Sequence, residues 1–145
     1  MNKHSCKKTK KKTKEVKIGS LGVGGGNPVR IKGMLKSSLQ DKEGVIREAR
    51  RLEREGAEAI RVAVEKRSDA KIAGVLKRKV SVPLAADVHF DYRLALGSIE
   101  AGFDQIRLNP LNIYRRKEVK EVAKELKKAG VPLRVGINSG GFKKD

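Results

Sequence analysis

Apolar and polar side chains alternate along four stretches in the second half of the chain, residues 60–65, 84–89, 106–109 and 133–138, and each reads as a β-strand. Successive strand side chains point to opposite faces. One face of the resulting sheet then carries Ile60, Val62, Val64, Leu84, Ala86, Val88, Ile106, Leu108, Leu133, Val135 and Ile137, an apolar surface suited to a helical cover. The opposite face carries Arg61, Asp87, His89, Arg107, Asn109, Arg134 and Asn138, with the small residues Ala63, Ala85 and Gly136 between them. The intervening stretches repeat with helical spacing instead. Val45, Ile46, Ala49 and Leu52 form a stripe over residues 41–55, and Ile72, Val75 and Leu76 another over 68–78. Asp91 opens a third helix that stops before Gly102, and Val119, Val122, Ala123 and Leu126 predict a fourth over 115–129, closed by Gly130.

A further strand at 29–34 completes an alternation of strand and helix, the signature of parallel βα units. Apolar residues on only one face favour a sheet curling into a barrel, since strands of a doubly wound sheet are apolar on both faces. The expected fold is a partial (β/α)8 TIM barrel of about four and a half βα units. A hairpin over 16–23 precedes it, and residues 1–15 form a disordered Lys-rich tail. Residues 16–145 are then the N-terminal half of the barrel. Open strand edges predict that a second half is missing or that a second chain supplies it.

At 145 residues the chain suffices for one domain, and with no Trp its core volume must come from aliphatic residues. The net charge of +18 suggests a polyanion partner, but residues 1–17 hold eight Lys against one Glu, and most of the remaining excess falls on outer helix faces. A basic nucleic-acid binder is a further reading, and deleting residues 1–17 should abolish such binding if it resides in the tail. That segment has no apolar run and no Arg, so no secretory signal, mitochondrial presequence or membrane span is expected there, and a cytoplasmic location fits. Cys6 is the single cysteine, which excludes an internal disulfide or a cysteine metal cluster built from this chain alone. The run from Gly22 to Pro28 is glycine-rich, but a strand rather than a helix follows and no Lys-Ser/Thr pair is present. It reads as a turn, not a phosphate loop.

Three arginines facing one aspartate favour an anionic ligand, because one carboxylate cannot balance three guanidiniums away from water. The pairs Arg107 with Asn109 and Arg134 with Asn138 repeat one device, a planar fork for phosphate oxygens with a neutral donor nearer the strand end. Asp87 and His89 share a face at a strand's C-terminal end, where chemistry on this fold occurs, and are the candidate catalytic residues. The other reading of Asp87 is a structural ion pair with Arg61 or Arg107. The sole other histidine is His4, so no protein-only metal site is expected.

Taken together, and above all in the stretch from Pro83 to Arg93 (PLAADVHFDYR), the chain from Val16 to Asp145 resembles the N-terminal barrel of the bacterial 4-hydroxy-3-methylbut-2-enyl diphosphate synthases. The resemblance implies reductive opening of 2-C-methyl-D-erythritol 2,4-cyclodiphosphate at a [4Fe-4S] cluster, with flavodoxin or ferredoxin as electron donor. It also implies that Arg61, Arg107 and Arg134 hold the diphosphate, with Asp87, His89 and Asn138 around the substrate; the repeated Arg–Asn device adds Asn109 to the substrate-binding candidates. Where the family's first strand ends in Gln-Ser-Met-Thr-Asn this chain has Lys32-Gly33-Met34-Leu35-Lys36, and Leu111 stands where a glycine is expected. The family's three cysteine cluster ligands and one glutamate have no counterpart here. Two other readings are a half barrel that binds phosphorylated ligands without turnover and a dihydropteroate-synthase-like barrel.

Overall fold

The computed structural model describes residues 13–137. The Lys-rich tail through residue 12 and the strand end at Asn138 lie outside the described residues. A two-stranded antiparallel hairpin, β1 (Val16–Ile18) and β2 (Leu21–Val23), precedes the main sheet. The sheet contains β3 (Lys32–Met34), β4 (Ala59–Val64), β5 (Leu84–Val88), β6 (Gln105–Leu108) and β7 (Leu133–Val135), all parallel and neighbouring in chain order. The crossovers hold α1 (Lys42–Arg54), α2 (Arg67–Ala70), α3 (Ile72–Leu76), α4 (Tyr92–Glu100) and α5 (Arg116–Ala129).

Each crossover is fixed by local chemistry. Asp41 caps α1 by accepting from the Gly44 amide at 2.9 Å, and Asp91 caps α4 by accepting from the Arg93 amide at 2.9 Å. Gly130 ends α5 with φ of 67°, a left-handed cap that an L side chain adopts at a cost. Val45, Ala49, Ile72, Leu76, Leu94, Ala95, Val122 and Leu126 then close over Ile60, Val62, Val64, Leu84, Ala86, Val88, Ile106 and Leu108 in one apolar core. This is the helix-covered face that alternation predicts.

The hairpin stands at the N-terminal end of the strands. Ile18 is buried, and its turn at Gly19 packs so closely on Asp104 and Pro83 that an added Cβ would lie 3.3 Å from the Asp104 carboxylate. After β2 the chain reverses through Gly24, Gly25 and Gly26, all at positive φ, with the Asn27 amide donating to the Gly24 carbonyl at 2.9 Å. This is a turn into the first barrel strand, as expected.

Several boundaries differ from expectation. The first barrel strand begins at Lys32, not Val29. Residues 29–31 lie ahead of the ladder, with Val29 and Ile31 exposed and the Ile31 amide held by the Glu58 carboxylate at 3.0 Å. The helix expected over 68–78 is two short helices divided at Lys71, whose amide makes an i to i−3 bond to Ser68 instead of continuing the α pattern. Ala123 is exposed, so the inner stripe of α5 narrows to Val119, Val122 and Leu126. The last strand ends at Val135, and its Leu133, Val135 and Ile137, expected under helices, are exposed. β7 is the edge strand of the five-stranded sheet.

Candidate functional site

The register of the sheet sets Ala63, Asp87, Arg107 and Arg134 in one row across β4 to β7. Arg61 stands beside them, paired in register with Met34 and Ala85. Asp87 is the centre of this row. Its side chain is only 6% exposed, and its Oδ1 accepts from Arg107 Nη1 at 2.9 Å, while Arg61 Nε lies 3.6 Å from Oδ2 and His89 Nε2 lies 3.6 Å from Oδ1. Only the Arg107 contact is a hydrogen bond; the other two are near approaches.

The two inner guanidiniums differ in how well they are satisfied. Arg107 is doubly anchored, because Nη2 also donates to the Gly136 carbonyl at 3.0 Å. A Cβ at position 136 would sit 2.9 Å from Arg107 Nε, so this glycine makes room for the arginine. Arg61 spends Nη2 on the weakly accepting Met34 sulfur at 2.7 Å, and its Nε is buried without a hydrogen-bond partner among the described residues. Arg134 is exposed on the edge strand, next to Arg107 in register.

Two inward residues escaped the sequence reading. Gln105 opens β6 one residue earlier than expected and shares the parity of Arg107, and Lys32 shares the parity of Met34 on β3. They meet across the sheet, with Lys32 Nζ donating to Gln105 Oε1 at 2.6 Å. Burial lowers the pKa of Lys32 from its ordinary value, and the positive charges of Arg134 and Arg61 push in the same direction against the pull of Asp87. The alternation of 29–34 and one further residue of strand 106–109 were the signals that could have found them.

His89 and Phe90 form the rim. The Asp91 amide donates to the His89 carbonyl at 2.8 Å, closing a γ-turn around Phe90, which has φ of 61° and is 77% exposed. A bulky aromatic residue rarely takes positive φ, and here the turn ends β5 sharply and leaves His89 facing the mouth. A cleft of about 570 Å³ opens there, lined by Glu65, Lys66, Arg67, His89, Phe90, Asp91 and Leu94 at the C-terminal ends of β4 and β5. The Glu65–Lys66 turn is fixed by Asp69, whose Oδ2 accepts from both amides at 3.1 Å.

The structure thus brings Arg61, Asp87, His89 and Arg107 together and sets Arg134 alongside. Asn109 is different. It is buried, its Oδ1 accepts from the Leu111 amide at 3.0 Å, and its carbonyl accepts from Asn112 and Ile113, so it shapes the loop after β6. Asn138 lies outside the described residues.

A parallel βα sheet with one helix-covered face, an opposite face carrying Arg61, Asp87 and Arg107, and a cleft at the C-terminal strand ends defines a segment of a TIM barrel. The chain belongs to the GcpE TIM-barrel domain family, whose model matches residues 13–145. It is 43% identical over 138 residues to the 4-hydroxy-3-methylbut-2-en-1-yl diphosphate synthase (flavodoxin) of Caldanaerobacter subterraneus subsp. tengcongensis, covering 95% of this chain and 39% of that protein. It is 46% identical over 133 residues to the protein of the same name from Caldicellulosiruptor saccharolyticus, covering 92% of this chain and 38% of the relative. The chain therefore spans less than half the length of the curated relatives it matches. Among solved structures it is similar to dihydropteroate synthase of Yersinia pestis, with a TM-score of 0.65, 17% identity, and coverage of 90% of this chain and 50% of that one. A mandelate oxidase follows the same fold at a TM-score of 0.56 and 18% identity, over 77% of this chain and 43% of that one. Identities this low show the barrel fold alone.

Proposed function

We propose that the inner face binds the diphosphate of 2-C-methyl-D-erythritol 2,4-cyclodiphosphate, and that this chain is the substrate-binding part of a reductive 4-hydroxy-3-methylbut-2-enyl diphosphate synthase in isoprenoid biosynthesis. The observation that carries the reading is charge imbalance in a half-buried space: Arg61 and Arg107 share the single carboxylate of Asp87, Arg134 stands next to Arg107 in register, and Arg61 Nε is left buried and unsatisfied. An anion supplies the missing acceptors. Within this reading Asp87 holds Arg107 in place, Arg61 and Arg134 grip phosphoryl oxygens, and His89 at the rim donates a hydrogen bond or a proton. Asn138 is assigned to the substrate from the family resemblance, and Asn109 positions the loop beside it.

The relatives' names support flavodoxin as the electron donor of the whole enzyme; ferredoxin is the alternative donor. The [4Fe-4S] cluster that the family implies does not fit the residues present. Among the described residues no group of three His, Cys, Asp or Glu could hold a metal, whereas the family's cluster takes three cysteines and one glutamate. Cys6, the only cysteine in the sequence, cannot furnish that set. The cluster, the rest of the barrel and the redox step therefore belong to a part of the enzyme outside these residues or to a second chain. No helix among the described residues is long and apolar enough to cross a membrane.

Calorimetric titration with the cyclodiphosphate tests the reading. Arg134→Ala should lower affinity at least tenfold, about 1.4 kcal/mol, while Lys127→Ala, on the exposed side of α5, should leave it unchanged. Equal losses, or pterin binding in place of cyclodiphosphate binding, would overturn the assignment.

A further inference from the structure

The part of the inner face nearest the hairpin carries a charge that the reading above does not use. Lys32 projects from β3 into a cavity of about 480 Å³, which it lines with Gln105 and Arg134 on the sheet side and with Ile18, Leu21 and Val23 on the hairpin side. Its hydrogen-bond partner, Gln105, is neutral, and among the described residues no carboxylate lies within ion-pair distance of it. The charged groups around it are Arg61 from β4, Asp87 from β5 and Arg134 from β7, two positive and one negative. Asp87 is already engaged by Arg107, and the hairpin side chains are apolar. A half-buried ammonium held by an amide among guanidiniums is unfavourable until negative charge arrives.

The geometry points to Lys32 as a further cationic ligand of the anion site, one that transfers its hydrogen bond from Gln105 to a phosphoryl oxygen when the diphosphate binds. This rests on the anion-binding reading and extends it toward the cavity floor. The inward arrangement has a measurable consequence. In the free protein, burial and the two arginines hold the pKa of Lys32 below its ordinary value, and an anion beside it reverses that direction. Binding therefore takes up protons on the alkaline side, and affinity falls as pH rises through the lowered lysine value.

The test is calorimetric titration of the protein with the cyclodiphosphate from about pH 7 to about pH 9.5, in buffers of different ionisation enthalpy. Each phosphorus of this ligand carries one strongly acidic oxygen, so the ligand does not titrate in that window. The unmodified protein is expected to take up a fraction of a proton per ligand, increasing with pH. Lys32→Gln should bind roughly tenfold more weakly at about pH 7 and lose the uptake. Lys32→Arg should bind at about pH 7 but show no alkaline decline, and it carries the test where the glutamine variant fails to fold. Unchanged affinity and unchanged proton uptake in Lys32→Gln would overturn the role of Lys32. Inorganic pyrophosphate separates the two layers. Lys32-dependent pyrophosphate binding without cyclodiphosphate binding removes the proposed substrate and leaves Lys32 standing; binding of neither ligand overturns both.

Discussion

The two faces of the same three strands, β4, β5 and β6, are built on opposite terms. On the outer face Ile60, Val62, Val64, Leu84, Ala86, Val88 and Ile106 are all at 0% exposure and Leu108 is at 5%, under helices that complete their packing. On the inner face, one residue away along each strand, Arg61 and Arg107 crowd one carboxylate, Lys32 leans on a glutamine and a guanidinium nitrogen goes unsatisfied. The outer face is closed by the chain's own helices; the inner face leaves a buried guanidinium nitrogen without a hydrogen-bond partner among the described residues. Fully burying an aliphatic side chain gains about 1.5–3 kcal/mol, whereas desolvated charge costs several kcal/mol unless it is paired. The apolar face therefore supports the charged one, and under the proposed reading a bound anion would offset the cost of that charge.

Removing the carboxylate should break this comparison most severely. Asp87→Asn leaves Arg107, with its side chain only 12% exposed, and Arg61 without a counter-charge, and is expected to cost about 3–5 kcal/mol of stability. The variant should recover more stability from added pyrophosphate than the unmodified protein does, because the anion takes over the role of the carboxylate. Denaturant unfolding with and without pyrophosphate measures both. Stability equal to that of the unmodified protein would mean that water already screens the pair.

On the outer face the loss should be of similar size but insensitive to ligand. Ile106→Ala empties a fully buried site between β5 and β7 under the helices, and about 2–5 kcal/mol is expected. Pyrophosphate should stabilise this variant and the unmodified protein by equal increments. A larger increment for the variant would show that the two faces are coupled through β6 and would remove the distinction between them.

Why one face was more legible than the other in the sequence follows from the same physics. Period-two alternation fixes which way a side chain points, so Arg61, Asp87, Arg107 and the apolar rows opposite them could be assigned correctly. It does not fix what covers a face. Leu133, Val135 and Ile137 point outward as read, yet they are exposed because cover depends on neighbours in space. Strand ends were equally hard to read. Starting β6 at Ile106 hid Gln105, and treating Lys32 as a departure from a family pattern concealed its inward place on β3. Period two also says nothing of what a small or amide residue does for its own chain: Gly136 makes room for Arg107, and Asn109 ties down the loop after β6. The tight turn at Phe90 was invisible, since no sequence rule places a phenylalanine at positive φ.

The smallest effect sharpens the contrast at the rim of the outer face. Glu53 near the end of α1 is, like Asp87, a carboxylate that ties two segments of the chain together, but its hydrogen-bond partners are neutral: Ser81 donates to Oε1 from its hydroxyl at 2.5 Å and its backbone amide at 2.8 Å. The Ser81 hydroxyl and amide hold the Glu53 pKa below its ordinary 4.5, outweighing the opposing effect of burial. A carboxylate whose folded pKa is lowered contributes stability that is fully present above the unfolded value and is lost as pH falls through the folded one. Solvent screens this site at the surface, so Glu53→Gln should cost no more than about 1 kcal/mol at neutral pH. The gap from the unmodified protein should close as pH falls below 4.5 toward the folded value. Pyrophosphate should not alter that gap, because no arginine of the inner face touches this carboxylate. Thermal unfolding across that acid range measures it. A gap that persists below the folded pKa would mean that the side chain contributes through its shape rather than its charge.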